Sequence, residues 1–358
     1  MSRVAFCSIL ALLGALASQP GAQAQTGLPT GRGLPVQVKV GVEFMDIGAF
    51  KDNSGIFSAT VDVRLRWQDL RLRRPPQEAT DPPKVYLGSE AQAQLAKIWV
   101  PNAELVNQRG KTAYTATGLR IYPDGSVELT KRTTGDFLTT VDVERFPFDR
   151  QKLRLAVAIR DQSLNAVALQ FDQDDLDFSR AAANASLDGW ELGLAALRSE
   201  PLPGWNGETH PQIVASLEII RQPSMAIAAI FIPLFASLLL PMLSIWLNRV
   251  EDGVFQIETF ELVNIIIGGL FAVIALNFTV YSAYEVLGSA NNPVSRLFAL
   301  NYIALGIGLL VNVLLFRYGV IERWFGRFVQ EQLYLVLAVA IPVLVLTTAG
   351  AIIFIAIV

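Results

Sequence analysis

Four long apolar segments occupy the C-terminal part of the chain, and they restrict its fold more than any other feature. They cover approximately Met225–Leu247, Leu262–Ala283, Leu297–Phe316 and Leu333–Val358. Each is close to the ~20 residues that an α-helix needs to cross a bilayer. Backbone polar groups find no water inside lipid, so such segments must be helical. The sequence therefore predicts an all-α four-helix transmembrane domain over residues 222–358.

Positive charge between these segments predicts the orientation of the domain. Two of the connections are basic, with Arg249 in one and Arg317, Arg323 and Arg327 in the other. The remaining connection, Tyr284–Pro293, contains no Lys or Arg. Connections rich in these residues tend to stay in the cytoplasm. Because four spans return the chain to its starting side, we expect an inner-membrane protein whose N-terminal domain and C-terminus are both periplasmic.

The residues that precede Arg221 have a different pattern, which is typical of strands. Apolar side chains alternate with polar ones from Val36 to Val42 and again from Ala59 to Trp67, as in half-buried strands. Turn-forming residues such as Tyr122-Pro123-Asp124-Gly125 separate the apolar runs. Short strands at regular spacing predict an all-β immunoglobulin-like sandwich. We place this domain over residues 25–221.

The first residues have the parts of a secretory signal. Arg3 gives a positive start, Val4–Ala17 an apolar run, and Ala22-Gln23-Ala24 a cleavage site of small residues. We therefore expect residues 1–24 to be a signal peptide. The alternative, a first membrane helix, fits less well because the apolar run is short and interrupted. Cys7, the only cysteine, lies in this segment, so the mature chain is expected to have no disulfide.

Composition excludes several classes of protein. The chain is 52% hydrophobic and only 17% charged, with a mean hydropathy of +0.40, whereas a soluble protein is nearer a quarter charged. A net charge of −3 is too small to indicate a nucleic-acid partner. The chain contains one histidine, no cysteine after the predicted signal, and no nucleotide-binding or hydrolase motif. This composition argues against an enzyme. We expect no cofactor.

The second apolar segment differs from the other three. Every third or fourth residue forms one helical stripe of small or polar residues and two phenylalanines, with a carboxylate at one end. Its members are Glu261, Asn264, Gly268, Phe271, Ala275, Phe278 and Ser282. A carboxylate at the bilayer centre costs about 3 kcal/mol even on insertion scales, so it needs water or a partner. One stripe cannot enclose water but several copies can, so the segment favours the lining of an oligomeric pore.

Two plainer interpretations of this segment stay open. Glu261 and the nearby Glu258 can reach the membrane surface from the end of the helix without lining a pore. The small pair Gly268-Gly269 is also what the close packing of two helices requires.

Short motifs along nearly the whole chain carry a family resemblance. They are, in chain order, Trp67-Gln68-Asp69, Trp99-Val100-Pro101-Asn102, Tyr122-Pro123-Asp124-Gly125, Phe146-Pro147-Phe148-Asp149, Gly189-Trp190, Arg221 and Pro233. In this order, ahead of four spans, they resemble the pentameric ligand-gated ion channels, the superfamily of the nicotinic acetylcholine receptor, and especially its bacterial members. Animal members flank the fourth motif with two cysteines. Here Thr139 and Leu153 stand at those positions, so packing is expected to hold the loop.

The resemblance implies a ligand-gated ion channel subunit that forms a homopentamer, with the second helix lining the pore. It implies that Glu261 forms a ring selecting cations, because the Pro-Ala-Arg stretch of anion-selective members is absent. Phe271 and Phe278 are expected to narrow the pore, and membrane lipids to surround it. A membrane-anchored periplasmic binding or signalling protein without a pore is the alternative, and it leaves the stripe unexplained.

The same resemblance places a charged cluster where the two domains meet. It implies that Asp52 in the first hairpin, Asp149 and Arg221 lie together there, beside Phe146, Pro147 and Phe148. An arginine between two carboxylates at a partly dry interface is a strong charge-assisted pair. The cluster is therefore expected to couple the sandwich to the helices. Separate, solvated charges are the plainer alternative.

An agonist site is implied between neighbouring subunits, for a small molecule or a proton. The candidate residues are Val106, Arg160, Trp205 and His210. Val106 and Arg160 fall where amine-binding members carry aromatic residues, which argues against a quaternary amine because cation–π binding needs aromatic faces. A histidine titrates near neutral pH, so His210 is either a proton sensor or a satisfied structural residue.

Four aspartates crowd one further loop. They are Asp172, Asp174, Asp175 and Asp177. Carboxylates are ligands that Ca²⁺ prefers, so a modulatory calcium site is one interpretation. A solvated acidic loop is the other.

Overall fold

The structure is a computed structural model that describes residues 26–247, 250–251, 254–255, 259–288 and 291–357. The predicted signal peptide over residues 1–24, with Cys7, lies outside the described residues, as do Arg249 and Glu258. A sheet-rich N-terminal domain is followed by four apolar helices. The predicted fold class is confirmed.

Two sheets form the N-terminal domain. The larger contains β1 (Val36–Lys51), β2 (Ile56–Gln68), β3 (Lys84–Leu87), β5 (Gln108–Ile121), β6 (Ser126–Leu138) and β8 (Val167–Gln170). The smaller contains β4 (Ala103–Leu105), β7 (Arg150–Ile159), β9 (Trp190–Ser199) and β12 (Gln212–Arg221). Their strand orders are β3-β5-β6-β2-β1-β8 and β4-β7-β12-β9. A short pair in the same domain joins β10 (Leu202–Pro203) to β11 (Thr209–His210). Another, β13 (Val250–Glu251) with β14 (Val254–Phe255), lies between the first two membrane helices.

The alternation of side chains decides which face of each strand is buried. Val38, Val40 and Val42 of β1 are fully buried, and Leu153 and Leu155 of β7 are buried with them in the same core. Residues between them on the strands point away from the core. Removing these apolar side chains from water is the main force that holds the two sheets together.

Three of the sequence motifs meet in the fold. Trp67 and Trp99 pack edge to face with their ring centroids 6.0 Å apart. The Asp69 amide donates to the carbonyl of Gly125 over 2.9 Å. Gly125 has φ +82°, and a Cβ there would lie 2.5 Å from the Asp69 carbonyl oxygen. Only glycine fits this turn, which explains why the tryptophan–aspartate motif and the turn motif occur together.

Several short helices interrupt the sandwich, and the sequence pattern did not predict them. They are α1 (Gly88–Leu95), α2 (Gln173–Phe178) and the 3₁₀ turns Thr30–Arg32, Leu70–Leu72, Pro76–Glu78 and Trp205–Gly207. α2 begins where an acidic loop was expected. Asp172 accepts from the Asp175 amide, and the Asp175 carboxylate accepts from the Asp172 amide, which is a capping box at the start of a helix.

The four membrane helices are Ser224–Trp246, Thr259–Ala283, Pro293–Arg317 and Arg327–Ile357. All are long and apolar enough to cross a membrane, as predicted, although three begin several residues earlier. The third begins at Pro293 because Asn292 caps it, accepting from the Ser295 amide over 3.0 Å. Short helices lie at Glu285–Gly288, after the second span, and at Val320–Phe325, between the third and fourth.

Buried polar side chains join the first and third membrane helices. Ser237 donates to Asn301 Oδ1 over 2.6 Å, and Asn301 donates to the Leu234 carbonyl over 3.3 Å. Nearer the other end, Asn312 donates to Ser244 Oγ over 3.3 Å. Small polar side chains commonly link helices within a membrane. These contacts hold the first and third helices together, and the second packs against both.

Candidate functional site

Arg221, the last residue of β12, is the centre of a charged cluster just before the first membrane helix. Its Nε donates to Asp149 Oδ1 over 2.7 Å and its Nη2 to Asp52 Oδ2 over 3.1 Å. The side chains of Arg221 and Asp149 are only 11% and 2% exposed. Their attraction is therefore screened far less than that of a surface pair. The structure brings together the three charges that the sequence grouped.

Two aromatic rings and an amide complete the surroundings of Arg221. Its guanidinium carbon lies 4.2 Å from the ring centre of Trp190 and 5.0 Å from that of Phe146, within the range of a cation–π contact. Gln151 Nε2 donates to the second oxygen of Asp149 over 2.6 Å. These partners hold the arginine and the carboxylate in one geometry.

The loop that carries Phe146 reaches into the helical domain. Phe146 and Val143 are buried in the hydrophobic cluster of the membrane helices, and the Phe146 ring lies 5.6 Å from that of Tyr284. Pro147 is buried beside it and Phe148 half-buried. The sandwich thus contacts the chain that follows the second membrane helix.

A second contact comes from the hairpin between β1 and β2. Asn53 Nδ2 donates to Glu285 Oε2 over 3.4 Å. Asn53 is adjacent to Asp52, so the hairpin touches both Arg221 and the connection after the second helix. The sandwich therefore contacts the connection after the second helix at two places.

A hydrogen bond closes the Phe146 loop where animal members have a disulfide. Thr139 Oγ1 donates to the carbonyl of Lys152 over 2.6 Å, and Leu153 is fully buried. Gln151 also donates to the Asp142 carbonyl inside the loop over 2.5 Å. Packing at Leu153 agrees with expectation, but hydrogen bonds contribute as well.

The end of the fourth membrane helix lies beside the same cluster. Ile357 lines a crevice together with Phe148, Asp149 and Arg221. The fourth helix therefore ends at the side of the helical domain where the sandwich sits. This arrangement agrees with an even number of spans.

The predicted stripe lies on the exposed face of the second membrane helix. All seven of its residues are exposed, namely Glu261, Asn264, Gly268, Phe271, Ala275, Phe278 and Ser282. The opposite face carries Leu262, Ile266, Val273 and Val280, which are buried. At 3.6 residues per turn the two sets lie on opposite sides of the helix. The stripe is therefore free to face an axis shared by several subunits.

Three of the candidate agonist residues lie at the ends of strands: Val106 follows β4, Arg160 follows β7, and His210 ends β11. Val106 donates its amide to the Ala156 carbonyl over 2.9 Å, and Arg160 pairs with Glu104 over 2.5 Å. His210 Nδ1 lies 2.9 Å from the carbonyl oxygen of Gln162. The hydrogen bond gives His210 a structural partner.

Trp205 lies at the tip of the short hairpin that β10 and β11 form. Its side chain is 90% exposed, which is unusual for tryptophan. A large exposed ring at a hairpin tip is suited to contact a ligand or another subunit.

The acidic segment is held by cations of the chain itself. Asp175 is fully buried and pairs with Arg64 and Arg66, and Asp172 pairs with Arg66 and Lys39. Burial by itself raises the pKa of Asp172, but hydrogen bonds from Lys39 and Asp175 and the Arg66 charge lower it well below its usual value. The interpretation of this segment as a solvated loop was wrong, because these ion pairs tie α2 to β1 and β2.

The same network bears on the calcium hypothesis. Asp174 reaches Arg66 at 3.4 Å and Asp177 accepts from Gln173 over 2.9 Å. Among the residues that the structure describes, no group of three or more His, Cys, Asp or Glu side chains could hold a metal ion. The four aspartates thus have partners within the chain other than calcium.

Sequence reasoning missed several members of the interface. Trp190 was recognised only as part of a motif, and Gln151, Asn53, Tyr284 and Glu285 were not singled out. Trp190 and Gln151 flank Arg221 and Asp149 only after the strands pair. The polar pair Asn53 and Glu285 is 232 residues apart in sequence, and no local pattern signals such a contact.

Comparison with known proteins agrees with this architecture. Residues 25–223 match the family described as the neurotransmitter-gated ion-channel ligand binding domain. The proton-gated ion channel of Gloeobacter violaceus is 23% identical over 247 residues, which are 69% of this chain and 64% of that protein. The gamma-aminobutyric acid receptor subunit pi of Bos taurus is 23% identical over 239 residues, 62% of this chain and 49% of that subunit. The gamma-aminobutyric acid receptor subunit rho-3 of Homo sapiens is 24% identical over 236 residues. These are 61% of this chain and 46% of that subunit.

The matched family region covers more than half of the chain. The chain therefore belongs to the neurotransmitter-gated ion-channel family, the pentameric ligand-gated ion channels. The matches span less than two thirds of the length of these relatives. The family consists of channels and not of enzymes, in agreement with the sequence analysis.

Proposed function

We propose that five copies of this chain form a homopentameric, cation-selective channel of the inner membrane that an agonist opens from the periplasm. The observation that carries the proposal is the second membrane helix, whose stripe is exposed while its opposite face is buried. Exposed polar groups in a membrane helix, such as Glu261 and Asn264, need a partner surface or water. A shared pore supplies both.

Cation selectivity follows from Glu261 in this proposal. It is exposed near the start of the second helix, and five copies would form a ring of carboxylates at one mouth of the pore. Such a ring concentrates cations and repels anions. The family contains anion-selective members as well. The proposed cation selectivity therefore depends on Glu261 and not on membership of the family.

The agonist site in this proposal lies at the end of the smaller sheet, near Val106, Arg160, Trp205 and His210. Arg160 and Glu104 form an ion pair that is 55% and 40% exposed. Such a pair offers both charges to a polar ligand and no aromatic face to a quaternary amine. We therefore favour a small polar molecule or a proton as the agonist. The Gloeobacter relative is named a proton-gated ion channel, so the proton stays among the candidate agonists.

Current through a bilayer reconstituted with the purified protein tests the proposed function. We expect cation current when the bilayer is exposed to a panel of small polar ligands and to pH steps. Native mass spectrometry should show a pentamer. A cytoplasm-only reporter fused after Val358 should stay inactive. Intact pentamers that carry no current under any condition would favour the alternative, a membrane-anchored binding or signalling protein without a pore. Monomers or dimers alone would contradict the assembly.

A hydrophobic gate at Phe271 and Phe278 is the second prediction. These side chains are 68% and 75% exposed and lie two turns apart, so five copies would form two narrow, water-repelling rings. Phe271→Ser should raise the leak current without agonist, because a hydroxyl allows water to enter. Phe354→Ser on the fourth helix is the control, since that ring is also exposed but lies outside the stripe.

The leak currents of these variants can also contradict the proposed gate. A normal closed state in both Phe271→Ser and Phe278→Ser would exclude it. A leak from substitutions at Leu270 or Ala272 alone would shift the register of the stripe by one residue.

A further inference from the structure

Asn107 lies at the point where the chain crosses from the smaller sheet of the sandwich to the larger one. It follows Val106 in the turn between β4, which ends at Leu105, and β5, which begins at Gln108. In the two sheets β4 pairs with β7, and β5 pairs with β6. Asn107 is half-buried, and its side-chain amide is placed to bond to the backbone of both sheets.

Three hydrogen bonds use both donors and the acceptor of this amide. Nδ2 donates to the carbonyl of Leu138, the last residue of β6, over 2.8 Å and to the carbonyl of Arg154 on β7 over 2.7 Å. Oδ1 accepts from the Ala156 amide over 2.9 Å. A primary amide has two N–H donors and one carbonyl oxygen, so each polar group of the side chain has a partner. Asn107 therefore joins β6 of the larger sheet to β7 of the smaller sheet.

The two carbonyls that the amide binds stand at the base of the loop that reaches the membrane helices. Leu138 comes directly before Thr139, and Arg154 comes directly after Leu153. Thr139 and Leu153 are the positions at which animal members of the family have their two cysteines. Asn107 thus spans the same two strands one residue outside the place of that disulfide.

The same residues are tied to the candidate agonist residue Val106. Its amide donates to the Ala156 carbonyl over 2.9 Å, while the Ala156 amide donates to the side chain of Asn107. The Leu138 amide donates to the backbone carbonyl of Asn107 over 2.9 Å. The turn therefore holds β7 and the end of β6 through backbone and side chain together, and a displacement of the turn displaces the base of the loop.

We propose that Asn107 is a positioning residue that transmits a movement of the Val106 turn to the loop carrying Phe146, and so to the membrane helices. The inference rests on the proposed function, in which an agonist acts near Val106 and opens the pore. Phe146 is buried among the membrane helices, so the base of its loop sets where that ring enters them. Because the link comes from the turn itself, one side chain is shared by the agonist side and the gate side.

Hydrogen–deuterium exchange of the purified full-length protein tests the placement without any current. Asn107→Asp keeps the size of the side chain and the oxygen that the Ala156 amide uses, but it removes both donors. The Phe146 and Phe148 amides are hydrogen-bonded inside the loop and report its opening. Since two hydrogen bonds at the base are lost, we expect exchange in residues 139–149 to become about tenfold faster.

Asn184→Asp is the matched control for this experiment. Asn184 is exposed in a turn that precedes β9, so the same substitution there should leave all exchange rates unchanged. Two results contradict the proposal. Unchanged exchange of the loop in Asn107→Asp would show that Asn107 does not position it. An equal acceleration throughout the sandwich would show only a general loss of stability.

Channel activation separates transmission from a purely structural role. Single-channel recordings in a bilayer use the stimulus that opens the unsubstituted protein, either an acidic pH step or one of the small polar ligands. We expect half-maximal opening of Asn107→Asp to need about tenfold more of that stimulus, at an unchanged single-channel conductance. An unchanged activation curve together with a loosened loop would reduce Asn107 to a structural residue and overturn the proposal. If the unsubstituted protein carries no current, the proposed function fails, and the exchange rates still decide whether Asn107 positions the loop.

Discussion

Replacing Arg221 with glutamine is expected to impair channel opening more than any other single change in the sandwich. The substitution leaves Asp149, which is 2% exposed, without the cation that neutralises it. Removing one partner of a buried ion pair typically costs about 3 kcal/mol or more, because the remaining charge stays desolvated. It also removes the cation that lies between Trp190 and Phe146. Because Phe146 packs among the membrane helices, we expect opening to suffer before folding does.

A double-mutant cycle isolates the interaction. Asp149→Asn and Arg221→Gln are measured singly and together, as shifts in the activation curve for agonist or protons. We expect a coupling energy of about 1–3 kcal/mol, equivalent to a shift of roughly 5- to 150-fold in half-maximal concentration. Asp52→Asn should have a smaller effect, because Asp52 contributes one longer contact of 3.1 Å and is 24% exposed.

The chain offers a matched control on the same sheet. Arg150 and Glu218 form an ion pair at 3.6 Å, with side chains 65% and 33% exposed. Exposed pairs typically contribute about 0–1 kcal/mol, so Arg150→Gln and Glu218→Gln should shift activation little. Strictly additive effects of the Asp149 and Arg221 variants, in pentamers that still assemble, would exclude coupling through this pair. Assembly is verified for each variant by native mass spectrometry.

Loss of cation selectivity in Glu261→Ala is the other large effect that we expect. The interaction energy between a fixed unit charge and an ion 4 Å away is about 1 kcal/mol even at the dielectric constant of water. Five carboxylates in one ring attract cations and repel anions together. Removing them should lower the ratio of cation to anion permeability about tenfold or more. The reversal potential in a salt gradient should move towards zero.

Glu331→Gln is the control for this measurement. Glu331 is a carboxylate near the same end of the helical domain, paired with Arg327 on the fourth helix and absent from the stripe. It should leave the reversal potential unchanged. If Glu261→Ala also leaves it unchanged, the selectivity ring lies elsewhere, and Glu258 is the next candidate. A channel selective for anions before any substitution would reject the proposal directly.

Much of the architecture could be predicted from local patterns. Runs of about 20 apolar residues specify membrane helices because lipid cannot satisfy a free backbone. Alternating valines such as Val38, Val40 and Val42 specify strands with one buried face. The stripe on the second helix was also predictable, because helical periodicity alone sets which residues share a face.

Helix starts and short helices were harder to predict. The third membrane helix begins at Pro293, four residues before its apolar run, because the Asn292 cap determines the start. α2 forms where four aspartates indicated a solvated loop. Its capping box is local, but Asp175 is buried only because Arg64 and Arg66 on β2 reach it across the sheet. A carboxylate without those cations would be too costly to bury.

The sequence by itself therefore determined two domains, four spans, the buried faces of the strands and the stripe of the second helix, since each depends on neighbours a few residues away. Motif resemblance added Asp149 and Arg221. Only the tertiary structure decided that Trp190 and Gln151 flank that pair, and that Asn53 reaches Glu285. These contacts join residues far apart in sequence, and their energy comes from desolvated charges and packed rings that do not exist until the two domains meet.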